Sequence, residues 1–361
     1  MAQSRTILVT GASGFIGGHL CAALAARGDR VRALYRRAKP PAGLVALAEG
    51  PGSKVELFNA DLGDAARMAE AVAGADAVIH VAALASDWGP YELFKRQNYD
   101  ATERLLAAAE EAGAKAFVYF SSAVVSGFGP HVDSTEEGPC YPLKYPYQIT
   151  KRLAEGLVLR RNRSGFKTVA IRPCNVYGPG DTTSTYKMYE AILTGVFGYV
   201  GSGKALTCPV YIDDLCAGTL AALDRDEAAG EAIILTDGDK VSWRDYAEAM
   251  FAAIGSRRRP ARMPAPLAFA AARAMTAAAL LVCSRSAPPL TLYRIEQASQ
   301  DYHFSNAKAR RLLGFEPTIF FREGLRLTAE AFLRDRDRGR GEGAAGTAPA
   351  ASMNSSEGGK P

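Results

Sequence analysis

Cysteine and histidine are scarce, at six and four among 361 residues. The cysteines at 21, 140, 174, 208, 216 and 283 form no CxxC pair and have no histidine at metal-ligand spacing. That excludes the common zinc patterns and leaves reduced thiols and no metal as the expectation. Neither sign of charge dominates: Lys and Arg exceed Asp and Glu by 43 to 38, too small and dispersed an excess for a nucleic-acid surface. No run is suited to crossing a bilayer. The best candidate, 264–283, holds Leu267, Phe269, Met275, Leu280, Leu281 and Val282, but Arg273 falls mid-segment, where a charge is costly. This segment is expected to close the substrate pocket or pack on its lobe, with peripheral membrane contact through 264–283 as the other option. A strand-like Ile7-Leu8-Val9 within the first ten residues leaves no room for a signal peptide, so a cytoplasmic location is expected. No internal repeat is present.

What the chain does have is alternation. Short runs rich in β-branched residues at 6–10, 30–34, 55–58, 77–81, 116–120 and 168–171 alternate with Ala/Leu/Arg-rich helical stretches. This is the pattern of an α/β fold, a doubly wound parallel sheet of Rossmann type with a smaller C-terminal substrate lobe. The boundaries read as a cofactor domain at 1–178, completed by parts of 205–240, and a substrate lobe mainly at 179–335. Residues 336–361, charged and then rich in Gly, Ala, Ser and Pro, read as a disordered tail.

The first strand runs into Gly11-Ala12-Ser13-Gly14-Phe15-Ile16-Gly17, followed by a helical stretch ending at Gly28. Here Gly11 permits the tight turn, Gly14 admits a pyrophosphate without a Cβ in the way, and Gly17 allows close helix–strand packing. The pyrophosphate then sits on the free N–H groups of the helix N-terminus, with Phe15 and Ile16 in the same loop. No acidic residue follows about 20 residues on, where NAD enzymes bind the ribose 2′-hydroxyl. Arg36 and Arg37 stand there instead, and a guanidinium fork suits a 2′-phosphate. NADP(H) is therefore favoured over NAD(H).

Tyr147 and Lys151 lie at i and i+4, on one face of a helix. A nearby ammonium favours the phenolate form of a tyrosine and eases proton exchange at neutral pH. Ahead of them a strand at 116–120 ends in Ser121-Ser122, where the topology puts ligands. The pair Asp213-Asp214, before a helical 215–223, reads as an N-cap rather than as catalytic carboxylates.

The GxxGxxG turn, the YxxxK pair and the segment Arg172-Pro173-Cys174-Asn175-Val176-Tyr177-Gly178-Pro179 occur in an order that resembles the extended short-chain dehydrogenase/reductases. The resemblance covers roughly residues 5–335. It implies a catalytic Ser122, Tyr147 and Lys151, with Ser121 the fallback, and a lysine that also hydrogen-bonds the nicotinamide ribose. It further implies cofactor contacts from Asp61 and Leu62, Ala82 and Ala83, Asn98 of an Asn-x-x-x-Thr pattern with Thr102, and Pro173. Asn175 resembles a substrate contact.

Three features are similar to the 3β-hydroxysteroid dehydrogenase and dihydroflavonol reductase branch: the stretch 31–36, the C-terminal Asp301-Tyr302-His303-Phe304-Ser305 with 308–315, and the apolar 264–283. That implies hydride transfer at an alcohol or ketone of a largely apolar small molecule. Asn175 points instead to a nucleotide-sugar epimerase or dehydratase, although 207–214 lacks the arginine that grips a second phosphate. A non-catalytic binding scaffold or redox sensor is the third alternative. A homodimer is left open.

Overall fold

The computed structural model describes residues 4–345. Seven strands form one parallel sheet: β1 (Thr6–Thr10), β2 (Arg30–Tyr35), β3 (Val55–Asn59), β4 (Ala77–His80), β5 (Ala116–Phe120), β6 (Lys167–Pro173) and β7 (Ala232–Leu235). Their spatial order is β3-β2-β1-β4-β5-β6-β7, and every neighbouring pair is parallel. Strands of such a sheet are covered on both faces. In β1, accordingly, Ile7, Leu8 and Val9 are all fully buried. Ile7 and Val9 pack with Leu20 and Leu24 on one face, while Leu8 packs with Met68, Val78 and Phe117 on the other.

The strand order reverses between β1 and β4, which opens a crevice at their carboxyl ends. Between β1 and helix α1 (Phe15–Arg27) the glycine turn is sterically required. Gly11 has φ 71°, and a Cβ there would lie 2.9 Å from the Ala82 nitrogen. A Cβ on Gly17 would meet the Gly11 carbonyl oxygen.

Helix α2 (Pro146–Leu159) carries the YxxxK pair; Pro146 opens it, and the Gln148 amide oxygen accepts from the backbone of Lys144 (3.1 Å) and Tyr145 (3.4 Å). One ion pair fixes this helix against the sheet. Arg172 on β6 reaches Glu155 on α2 through two bonds of 2.9 and 2.7 Å, with both side chains buried. A third guanidinium bond goes to the Glu136 carbonyl at 3.1 Å.

Past β6 the chain builds the lobe, but it returns to the main sheet at β7 after helix α3 (Ile212–Asp224), which packs on α1. Asp213 and Asp214 lie in the first turn of α3 rather than at its cap. Buried Asp214 accepts bonds of 2.8–3.0 Å from the Thr318 hydroxyl and the Thr318 and Ile319 amides, so it ties down the C-terminal segment instead. Helix α4 (Ala265–Leu281) buries only Ala268, Ala272 and Ala279. Helix α5 runs Phe321–Ala345, so 336–345 are helical where composition predicted a disordered tail. The helix is anchored upstream by buried Leu325, Ala329 and Phe332, which recur at helical spacing. The rest of that tail, 346–361, lies outside the described residues.

Removing one partner of a buried ion pair leaves the other charge uncompensated. Arg172→Met is therefore expected to lower the unfolding free energy by about 3–5 kcal/mol in urea denaturation. The double variant Arg172→Met/Glu155→Leu should cost less than the sum of the two single changes; strict additivity would mean the pair is not coupled.

Candidate active site

The cradle for a dinucleotide begins at α1. Its N-cap is Gly14, with no side-chain cap and no acidic residue in the first turn, so the N–H groups of Phe15, Ile16 and Gly17 point out of the helix toward any anion placed there. The backbone bonds Gly14 N–H to Gly11 carbonyl and Gly18 N–H to Gly14 carbonyl, both 2.9 Å, hold the turn closed. These donors, and the steric need for glycine at Gly11 and Gly17, fit a pyrophosphate. At the end of β2, Arg36 and Arg37 are exposed. Arg36 lies 3.6 Å from Asp61 and donates to Gln97 at 3.1 Å, and the Asn59 amide donates to the Arg37 carbonyl at 2.9 Å. Half-buried Leu62 and Ala82, exposed Ala83 and buried Pro173 line the same strand ends.

A chain of hydrogen bonds crosses the crevice floor. The Thr102 hydroxyl donates to the Asn98 carbonyl at 2.7 Å, so its oxygen accepts from His80 Nε2–H at 3.0 Å. His80 Nδ1 is then an acceptor for the Thr10 hydroxyl at 2.7 Å. The Thr10 oxygen accepts the Ala82 N–H at 3.2 Å. Each hydroxyl proton is used once, which assigns the Nε2–H tautomer. Burial, and secondarily the Lys151 charge, push His80 down to about 3, so it stays neutral. The Asn98 amide clamps Leu84, accepting from its N–H at 2.7 Å and donating to its carbonyl at 3.2 Å, and also donates to Thr150 on α2 at 3.3 Å.

At the end of β5 the structure brings Ser122, Tyr147 and Lys151 together. Ser122 caps the turn Ala123–Ser126, its oxygen accepting from the Val124 N–H at 3.4 Å, and lies beside the Tyr147 hydroxyl. Ser121, the neighbouring serine, is buried with its hydroxyl unpartnered and its N–H bound to the Ile171 carbonyl at 2.7 Å. Lys151 is 2% exposed; its ammonium donates to the Phe120 carbonyl and lies 4.4 Å from the Tyr119 ring. Burial pushes Lys151 down to about 7, with Glu155 acting in the opposite sense.

Tyr147 differs from the sequence expectation. Burial outweighs the effect of the neighbouring Ser122 and pushes its hydroxyl up to about 12, so it is protonated at neutral pH rather than tending to phenolate. A protonated phenol can donate a proton to a carbonyl oxygen.

The substrate side is aromatic. Tyr293 meets the Phe128 ring edge-on at 4.8 Å and lies 5.1 Å from Tyr145. It belongs to the segment 284–297, which closes on the loop after β4. There the Trp88 indole donates to the Ser284 carbonyl at 3.0 Å, and Asp87 accepts from Thr291 at 2.5 Å and pairs with Arg294 at 2.8 Å. Sequence reasoning missed this cover, because its partners lie about 200 residues apart in sequence and no motif joins them. Asn175 is engaged at both ends: its amide donates to Thr207 at 2.5 Å and its oxygen accepts from Gln297 at 3.3 Å.

Comparison with known proteins agrees with this fold. The family described as NAD dependent epimerase/dehydratase matches residues 7–235. The chain is 31% identical to a 2-alkyl-3-oxoalkanoate reductase of Stenotrophomonas maltophilia, over 89% of this chain and 97% of that protein. It is 32% identical to a 3 beta-hydroxysteroid dehydrogenase/Delta 5-->4-isomerase of Mycobacterium tuberculosis, over 88% of each. Among solved structures, MoeE5 in complex with UDP-glucose and NAD superposes with a TM-score of 0.72 at 25% identity, covering 92% of this chain and 99% of that one.

The buried lysine sets a stability prediction. An unfolded lysine titrates near ~10.4, while Lys151 is pushed down to about 7. Between those values the unfolded chain binds more protons, so this group makes the fold more stable as pH rises and penalises it most below pH 7. Lys151→Met is expected to stabilise the cofactor-free protein by about 1–3 kcal/mol at pH 6. The advantage should shrink by pH 9 in chemical denaturation; an equal difference at both pH values would contradict it.

Proposed function

The chain belongs to the NAD dependent epimerase/dehydratase family, and from that membership we propose that it reduces the ketone of a largely apolar substrate with NADPH, or runs the reverse oxidation. The observation that carries the reading is the packing of Tyr147, beside Ser122, in one cluster with Phe128, Tyr145 and Tyr293. Such a wall gains from burying hydrocarbon. The chemical class of the substrate follows the relatives named above, a 2-alkyl-3-oxoalkanoate or a steroid.

In the mechanism, Ser122 and Tyr147 hold the substrate oxygen, and Tyr147 transfers the proton. The bound dinucleotide supplies or takes the hydride. Lys151 hydrogen-bonds the ribose, and Gly11, Gly14, Phe15, Ile16 and Gly17 cradle the pyrophosphate. Asp61, Leu62, Ala82, Ala83, Asn98 and Pro173 line the remaining cofactor path. Arg36 and Arg37 select the 2′-phosphate, with Arg36 exchanging Asp61 for the ligand. Asn175 serves the substrate side by fixing Gln297 rather than by gripping a diphosphate, which disfavours a nucleotide sugar. Helix α4 lies at a membrane interface, and the protein works in the cytoplasm.

Tyr147→Phe is expected to lower turnover of a 2-alkyl-3-oxo substrate by roughly 10² or more while leaving NADPH affinity nearly unchanged; retention of most activity would remove Tyr147 from the mechanism. NADPH should bind more tightly than NADH, and Arg36→Gln/Arg37→Gln should erase most of that difference. A calorimetric titration showing NADH preferred by the unaltered protein would reverse the assignment.

A further inference from the structure

The near-balance of charge over the whole chain conceals a one-signed segment. Between Glu248 and Glu296 there is no acidic residue and no lysine. Arg257, Arg258, Arg259, Arg262, Arg273 and Arg285 in this stretch are all exposed, and among the described residues Arg294 alone of the stretch pairs with an acid, Asp87. Within the same stretch α4 turns an apolar face outward. Its exposed positions from 266 to 281 are Ala, Leu, Met or Pro with the single exception of Arg273. Leu267 is 58%, Leu280 64%, Leu281 86% and Val282 72% exposed. A water-facing helix surface normally carries the polar residues, so this one lacks its partner. Val196, 77% exposed, follows Gly195, against which the Arg258 guanidinium lies. The Arg262 guanidinium donates to the Gly201 carbonyl at 2.8 Å and holds the two segments together.

We propose that this face rests on an anionic lipid bilayer, with Leu280, Leu281 and Val282 at the acyl boundary and the arginines among the phosphates. Both halves of the patch are used only there. A second copy docked face to face would set the same arginines against each other, and a polyanion alone would leave the leucines in water. Among the described residues no helix is long and apolar enough to cross a membrane, so the contact is peripheral. The apolar tip runs directly into the cover: Ser284 holds Trp88, Thr291 and Arg294 hold Asp87, and Tyr293 packs on Phe128 and Tyr145. An apolar substrate therefore enters beside the lipid. That last step rests on the ketoreductase reading, whereas lipid binding does not.

The test uses the full chain and sedimentation with vesicles of phosphatidylcholine alone or mixed with phosphatidylglycerol. Binding to the mixed vesicles only is expected, unaffected by excess soluble glycerol phosphate. Leu280→Ser/Leu281→Ser and, separately, Arg257→Gln/Arg258→Gln/Arg259→Gln should each weaken it roughly tenfold or more, with thermal midpoint and NADPH binding unchanged. No binding of the unaltered protein, equal binding to both vesicles, or competition by glycerol phosphate would overturn the proposal. So would a dimer in sedimentation velocity that the leucine variant dissolves while vesicle binding persists. Vesicle binding by a protein that reduces no ketone would leave the lipid surface standing and remove only the ketoreductase reading.

Discussion

The site depends on one requirement: the buried polar groups that converge at the carboxyl ends of β1 and β4 must be paired with one another almost without charge. The chain from Ala82 through Thr10, His80 and Thr102 to Asn98 meets it with one proton per link. Because each donor has one acceptor, the glycine turn, the strand after which the crevice opens and the π-helical turn Lys95–Asp100 are fixed relative to one another. Asn98 then carries the constraint onto α2 at Thr150, next to Lys151. An unpaired group anywhere along it would cost the desolvation of that group in full.

The one cation admitted, Lys151, is held by opposed tendencies. Burial drives its proton off, whereas the Phe120 carbonyl, the Tyr119 ring and the charge of Glu155 keep it on. Glu155 in turn is committed to Arg172, so the same carboxylate that braces α2 against β6 also supports the lysine one turn earlier. Stability and chemistry are thus coupled through a single acidic side chain. Strain of this kind, a charge kept where the bare fold would expel it, is characteristic of a functional site.

The parallel sheet was legible because buried strands read as short β-branched runs; those at 6–10 and 116–120 coincide with β1 and β5. The glycine turn and the Tyr147–Lys151 spacing were legible because local sterics and helix periodicity dictate both. Three things were not. The Asp87, Trp88, Thr291 and Arg294 cover is made of contacts between distant segments, which no local pattern encodes. The Tyr147 hydroxyl is pushed up because burial outweighs the effect of Ser122, an environment that the i,i+4 spacing does not encode. Asp214 looked like a cap, yet its oxygens serve Thr318 and Ile319, a partner visible only once the chain has folded back.

The central claim is that this chain moves hydride to an apolar ketone under protonation by Tyr147. The most direct measurement is mass spectrometry of the product formed from 4-deuterated NADPH and a 2-alkyl-3-oxo ester. The account predicts one deuterium on the carbinol carbon for each cofactor oxidised. Interconversion of a nucleotide sugar with no net oxidation of the cofactor, or cofactor bound and never oxidised, would contradict it.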